Sequence, residues 1–320
     1  MDPVFLKVFK IKRFLILLLT TFVISTPITS TEIKIVNKVN NHIITNIDIE
    51  IEYNYLTSLN NELKRLPKLE GLKIANDSLI KEKIKINELE KYYDLKNFKQ
   101  RELLDNILKN FYQRLDLNNE IDFQNYLKPY NVKLSDVKEK IKLEILWNRF
   151  ISKKFGNQVK VNEKKLKKKI NDNRLNIEEI LEYELSEIIF QAASTEEFKQ
   201  KVNEINLNID TIGFKSTATK FSISESAKFG GSIGKVKESQ LSNEIRNLLS
   251  KMEIGQISEP QKIGGSFMIL LMNNKYLIEQ EQNEEVVLRN LIEFEKRKQF
   301  EQFSQVYFNK IKINSRIDVK

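Results

Sequence analysis

Few side chains in this chain of 320 residues are suited to catalysis. Cysteine is absent, which excludes disulfides and thiolate chemistry. The single histidine, His42, has no cysteine or second histidine with which to share a metal ion, and we expect it to be an exposed turn residue. No P-loop phrase is present. We therefore expect no metal and no cofactor.

A carboxylate at position 187 stands out against its apolar surroundings. Residues 180–190 alternate as a β-strand does, which places Leu185, Glu187 and Ile189 on one face. A carboxylate is costly to bury without a partner. We therefore expect Glu187 either to reach a binding pocket or to be open to water.

Residues 221–272 contain the elements that would surround such a pocket. In order they are a glycine turn, an amphipathic helix, a further glycine and an apolar strand. The residues concerned are, in the same order, Gly230, Gly231 and Gly234; Leu241, Ile245, Leu248 and Leu249; Gly255; and residues 267–272. Gly255 is expected to be the C-cap glycine of the helix.

This stretch resembles a parvulin-type peptidyl-prolyl isomerase domain. Such domains carry a phrase like "S-x-x-S-x-x-G-G-D-L-G-x-F", a short helix, "G-E-I-S-x-P-V" and a strand bearing "G-x-H-I-I". The matching segments here are residues 222–236, 255–260 and 266–270. The resemblance implies a parvulin-like (FKBP-like) α/β domain with a small antiparallel sheet.

The resemblance also assigns positions in the pocket. Glu187 takes the place of the family's first-strand histidine, Met268 that of the second histidine, and Ser224 that of a cysteine or aspartate. The apolar wall that binds substrate is kept conservatively, by Ile233, Leu241 and Ile245. Because the imidazoles are missing, we expect a weak or inactive isomerase that still binds peptide. The alternative is an active isomerase with a rearranged site.

Residues 1–30 predict a secretory signal. Basic residues at positions 7–13 precede an apolar run at 14–25, which is shorter than the roughly 20 residues that span a bilayer. Cleavage near Thr29, Ser30 and Thr31 would release the protein into the periplasm. If the segment is retained instead, the chain is a membrane-anchored foldase, and this segment is its only membrane contact.

Five helices are predicted between residues 73 and 173: 73–93, 98–115, 121–127, 134–155 and 161–173. A strand pair turning at Asn40-Asn41 precedes them, and Thr45 with Asp48 predicts a capping box. Ser135 or Asn131 is expected to cap helix 134–155. Within it Trp147 is expected to pack between helices, with a peptide contact as the alternative.

The phrases "V-N-x-x-I-I-T-x-x-D-I" and "L-I-K-E-K-I-K-I-N-E-L-E-K-Y" resemble the core of SurA-type periplasmic chaperones. The resemblance implies that a long helix, predicted over 277–314, folds back onto this core. The predicted fold is α+β and mostly helical. The predicted parts are a signal peptide (1–30), a chaperone core (31–175), a parvulin-like domain (176–277) and a C-terminal helix (278–320).

The net charge of +9 is expected to reflect solvated lysines. The lysine-rich helix 161–173 lacks interleaved aromatic residues, so nucleic acid is not an expected partner. The SurA resemblance implies that the partners are unfolded polypeptides, in particular segments of outer-membrane proteins. The sequence leaves the oligomeric state open.

Overall fold

The computed structural model describes residues 32–173, 179–279 and 283–319. The chain divides into two units, Met1–Lys34 and Ile35–Lys320, and every helix and strand described belongs to the second. The predicted signal segment, residues 1–30, lies outside the described residues.

The fold is α+β and mostly helical, with small antiparallel sheets, as predicted. The strands are β1 (Ile35–Val39), β2 (His42–Thr45), β3 (Glu179–Phe190), β4 (Ser232–Lys237), β5 (Gln261–Ile263), β6 (Ser266–Glu279) and β7 (Ile317–Val319). The helices are α1 (Asn46–Leu59), α2 (Lys68–Leu89), α3 (Arg101–Gln113), α4 (Glu120–Leu127), α5 (Leu134–Phe155), α6 (Glu163–Asn173), α7 (Thr195–Phe221), α8 (Asn243–Leu249) and α9 (Glu284–Ile313).

The first sheet joins the two ends of the described chain. Its strand order is β2-β1-β7, and β7 pairs antiparallel with β1. The predicted turn between β1 and β2 is confirmed, with Asn40 in the left-handed region at φ 52°. His42 begins β2 instead of lying in the turn, and its Nε2 is 3.2 Å from a carboxylate oxygen of Glu90.

The predicted capping box begins helix α1. The backbone N–H of Thr45 donates to Asp48 Oδ2 at 2.8 Å, and the N–H of Asp48 donates to Thr45 Oγ1 at 3.2 Å. Two N–H groups that the helix leaves unsatisfied thus gain partners.

Helix α5 has the predicted bounds and lies in the middle of the helical core. Its residues Val137, Ile141 and Ile145 are buried in one cluster with Phe123 and Leu127 of α4. The predicted cap is wrong. The N-cap residue is Lys133, which makes no side-chain cap bond. Asn131 instead ends the preceding turn at φ 55°, and Ser135 lies inside the helix.

Helix α9 packs on α5, where Trp147 lies between the two helices, as predicted. The indole is fully buried among aromatic side chains of both helices, and its Nε1–H donates to Ser304 Oγ at 2.8 Å. The helix begins at Glu284 and not at residue 277. Residues 277–279 continue β6 because they pair with residues 179–181 of β3.

The second sheet has the strand order β4-β3-β6-β5 and is antiparallel. The predicted strand 180–190 is confirmed as β3. One face of the sheet packs on α7, through Ile188, Phe190 and Ile269. The opposite face packs on α8, and this second face carries the candidate site.

Gly255 does not cap helix α8. The helix ends at Leu249, and tight turns over the next three residues stop it there. Gly255 lies beyond these turns at φ 85°, and its N–H donates to the carbonyl of Met272 in β6 at 2.7 Å. The glycine therefore fastens a loop to the sheet.

Candidate functional site

The predicted apolar wall is assembled on the α8 side of the second sheet. Ile233 of β4, Leu241 and Ile245 belong to one hydrophobic cluster, and Met268 of β6 joins them. Leu185, Leu270 and Met272 lie beneath as buried residues. Four residues that the sequence assigned to the pocket thus share one surface.

Glu187 lies two residues beyond Leu185 along β3, directly opposite Leu270 of β6. Its side chain is half-buried. The hydroxyl of Ser226 donates to Glu187 Oε1 at 3.0 Å. The carboxyl therefore has a fixed partner at the edge of the apolar cluster.

A chain of serine hydroxyls leads to this carboxyl. Ser226 and Ser224 are joined at 2.6 Å, Ser224 and Ser222 at 2.9 Å, and Ser222 Oγ accepts from the N–H of Ile189 at 3.0 Å. A hydroxyl has one proton to donate. Because Ser226 gives its proton to Glu187, Ser224 must donate to Ser226, and Ser222 must donate to Ser224. The chain is thus directed towards Glu187.

The sequence prediction placed Ser224 in the pocket but missed Ser222 and Ser226. The three serines occupy every second position from 222 to 226. Ser222 and Ser224 have extended backbone, which favours side chains on one side, and the 3-10 turn Glu225–Phe229 brings Ser226 next to them. The repeated serine is the signal that would have revealed the chain of hydroxyls.

Backbone contact holds residues 222–231, here called the serine loop, against β3. The N–H of Glu187 donates to the carbonyl of Gly231 at 2.8 Å. Gly231 has φ 80°, and a Cβ there would overlap the carbonyl oxygen of Glu187. Only glycine permits this close approach.

The surroundings of Glu187 favour its protonated form. Burial raises the pKa of Glu187 to about 7, and the charge of Glu301 on α9 adds to the rise. The hydrogen bond from Ser226 and the nearby hydroxyl of Ser224 act in the opposite direction. The carboxyl can therefore change charge near neutral pH.

The serine loop also contacts the helical core. Glu225, between two of the serines, lies 3.1 Å from Nζ of Lys85 on α2, and Lys85 is 3.0 Å from Glu144 of α5. Partial desolvation opposes ionisation of Glu225, whose side chain stays 56% exposed, but the Lys85 ammonium outweighs it and lowers the pKa of Glu225. Phe229 packs edge-on against Phe111 of α3, with centroids 4.9 Å apart. The loop is thus held from both sides.

Tyr183 is a further polar residue of the pocket face that the sequence did not single out. It is fully buried in the cluster with Leu241 and Leu249. Its hydroxyl has no hydrogen-bond partner within the described ranges. Burial raises the pKa of this phenol.

This arrangement offers an apolar surface, one carboxyl and several hydroxyls to a peptide. The apolar surface can bury apolar side chains of the peptide, and the carboxyl and hydroxyls can form hydrogen bonds with its backbone amides. Among residues 32–173, 179–279 and 283–319, no three histidine, cysteine, aspartate or glutamate side chains are placed to hold a metal ion. In the same ranges, no helix is both long and apolar enough to cross a bilayer.

Comparison with protein families matches residues 180–274 to Rotamase, the PPIC-type PPIASE domain. The chain is similar to Chaperone SurA of Pseudomonas putida, with 26% identity over 147 residues, and of Pseudomonas aeruginosa, with 23% over 160 residues. These alignments cover 44% and 48% of this chain, and 34% and 38% of the relatives. The chain thus spans little more than a third of the length of these relatives.

Among solved structures, a PpiC-type isomerase domain is 30% identical to this chain, with a TM-score of 0.28. The match covers 32% of this chain and 97% of the solved chain. A SurA-like chaperone of Campylobacter jejuni is 16% identical, with a TM-score of 0.34. The match covers 89% of this chain and 98% of the solved chain. Residues 180–274 are a PPIC-type parvulin domain, and the chain that carries it is SurA-like.

Proposed function

We propose that this protein is an extracytoplasmic chaperone that binds unfolded polypeptides. One observation supports this proposal above the others. The apolar wall of Ile233, Leu241 and Ile245 is assembled on one surface, whereas glutamate and methionine stand where the family resemblance places histidines. A surface of this kind retains the means of holding a peptide and lacks the imidazole groups of the family's site.

The same observation argues for weak isomerase activity. Rotation about a peptide bond must cross a barrier of about 18–20 kcal/mol. Lowering this barrier requires polar groups placed around the twisting amide. Glu187, Ser224 and Met268 do not provide the two imidazole groups, so we expect turnover well below that of a typical parvulin.

The clients in this proposal are segments of outer-membrane proteins, bound between the helical core and the parvulin domain. The core would comprise residues 31–175 and 278–320, with the parvulin domain inserted at 176–277. The contacts of α9 with α5 and of β7 with β1 support this division. Apolar burial and hydrogen bonds to extended backbone would supply the affinity. A signal peptide at residues 1–30 would place the protein in the periplasm.

The test compares two assays on the same preparation. We expect the protein to suppress aggregation of an unfolded outer-membrane barrel protein, and NMR exchange on a proline-containing peptide to show little catalysis. Ile245→Asp on the wall should weaken suppression. Ile254→Asp is the matched control, because Ile254 is exposed and lies outside the apolar cluster. Equal suppression by the two variants, or none by the parent protein, would contradict the proposal.

A second candidate function is an active isomerase with a rearranged site. The hydrogen-bonded chain from Ser222 to Glu187 favours it, because it orients a carboxyl beside the apolar wall. Under this alternative the NMR assay shows catalysis at a rate typical of parvulins, and Ser224→Ala or Glu187→Ala removes it.

A further inference from the structure

Glu187 lies opposite Leu270, a buried member of the cluster that contains the apolar wall. Its Oε1 is occupied by the hydrogen bond from Ser226. At the far end of the serine chain, the backbone N–H of Ile189 donates a hydrogen bond to Ser222 Oγ. If every hydrogen bond between the serine hydroxyls ran in the opposite direction, the Ser222 hydroxyl proton would lose Ser224 as its acceptor. The direction of the chain therefore keeps Oε1 an acceptor and leaves Oε2 as the oxygen that takes a proton.

We propose that protonated Glu187 donates a hydrogen bond from Oε2 to a backbone carbonyl of an uncharged peptide on this wall, so that binding weakens when the carboxyl ionises. This inference rests on the proposed peptide-binding function and adds a pH response to it. An ionised carboxylate is an acceptor only and faces a carbonyl oxygen with no proton to share. The neutral acid has that proton.

The charged groups around Glu187 are consistent with a response centred on this residue. Glu301 of α9 acts on it as a like charge. In the serine loop, Glu225 contacts Lys85, and Lys228 contacts Glu225. On α7, the stem of Lys215 packs where a side chain on Gly230 would be. Met268 and Leu270 on β6 are uncharged.

The test is isothermal titration calorimetry of the whole protein with one peptide at pH 6 and pH 8. The peptide contains only alanine, phenylalanine and proline and has an acetylated and an amidated end, so the ligand itself does not titrate. With a pKa of about 7 for Glu187, the protonated fraction falls about tenfold between these two values. We expect the affinity to be about tenfold higher at pH 6 than at pH 8.

Glu187→Gln is the decisive variant. Its side-chain carbonyl accepts from Ser226, and its NH2 group donates at every pH. We expect this variant to bind as tightly as the parent protein at pH 6 and to show no pH dependence. Glu187→Ala should bind weakly at both values.

Two further variants identify the titrating group. His42→Gln removes the one histidine, a residue that commonly titrates in this range, and should leave the pH response unchanged. Glu301→Gln should move the midpoint of the response to lower pH, because the like charge is gone. Loss of the response in His42→Gln would overturn the proposal.

Equal affinity of the parent protein at the two pH values, or weak binding by Glu187→Gln, would also overturn it. If aggregation is still suppressed in that case, only this inference fails and the chaperone function stands. If the peptide does not bind at either pH and aggregation is not suppressed, the proposed function fails as well.

Discussion

Nζ of Lys85 lies 3.1 Å from Oε1 of Glu225, although 140 positions separate the two residues in the chain. Lys85 belongs to helix α2, and Glu225 belongs to the loop that carries Ser224 and Ser226. The same ammonium contacts Glu144 of α5 at 3.0 Å. One lysine therefore joins two core helices to the loop of the candidate site, and the core helps to set the position of that loop.

Replacing this lysine should destabilise the fold. In Lys85→Met two neighbouring carboxylates, Glu144 and Glu225, lose their shared cation. We expect the free energy of unfolding to fall by about 1–3 kcal/mol. Urea titration measures the change. Lys138→Met is the control, since its pair with Glu120 is more exposed and should contribute at most about 1 kcal/mol. Equal losses in the two variants would show that the Lys85 contacts add nothing.

The stability of the protein should depend on pH through Glu187. The pKa of Glu187 is raised from 4.5 to about 7 in the folded protein. A raised folded pKa stabilises below the unfolded value near 4.5, and the stabilisation is lost as the pH rises through about 7. Relative to Glu187→Gln, the parent protein should lose about 2 kcal/mol between pH 5 and pH 8.

Urea unfolding of both proteins at these two pH values checks this prediction. Glu259→Gln makes the same charge change at an exposed position and should follow the parent protein. A difference between the parent protein and Glu187→Gln that stays constant with pH would contradict the assignment.

The close approach at Gly231 predicts a large cost for a small substitution. Gly231→Ala would force a Cβ onto the carbonyl oxygen of Glu187 in addition to straining φ, so we expect a loss of about 3 kcal/mol or more in unfolding free energy. Gly234→Ala has a similar φ of 74° with open space around it and should lose only about 1 kcal/mol. Thermal unfolding of the pair separates the two effects, and similar losses would refute the steric argument.

The buried phenol of Tyr183 predicts a stabilising substitution. Its hydroxyl lacks a partner within the described part of the chain, and an unsatisfied buried hydroxyl costs about 1–3 kcal/mol. Tyr183→Phe should therefore raise the free energy of unfolding by about 1 kcal/mol. Tyr276→Phe is the comparison, because the Tyr276 hydroxyl donates to Glu184 at 2.9 Å and its removal should not stabilise. A loss of stability in Tyr183→Phe would contradict this view of the hydroxyl.

Local patterns in the sequence predicted most of the fold. Helix α5 and strand β3 follow from side-chain periodicity, because buried residues recur along one face of each. The errors occurred where distant chain decides the outcome. Residues 277–279 have a helix-like composition, yet they extend β6 because residues 179–181 offer a strand to pair with. Gly255 appeared to be a helix cap, yet its partner is Met272 across the sheet.

The candidate site was predictable only as a set of positions. The resemblance named Glu187, Ser224 and Met268, and the structure places Glu187 and Ser224 on one hydrogen-bonded chain. The contact of Lys85 with Glu225 was not predictable, since no local pattern links residues so far apart. The raised pKa of Glu187 comes mainly from burial by residues far apart in the chain, and Glu301 of the C-terminal helix adds to it.

The antiparallel pairing of β7 with β1 has a consequence for the order of events during synthesis. Asn40 and Arg316 flank this pairing and are 276 positions apart. At translation rates of about 5–20 residues per second, β1 waits roughly 15–55 s for its partner strand to leave the ribosome. During that interval the PPIC-type domain, matched over residues 180–274, is synthesised between the two strands. Nascent β1 meanwhile presents an unpaired edge, the kind of edge to which other extended chains add.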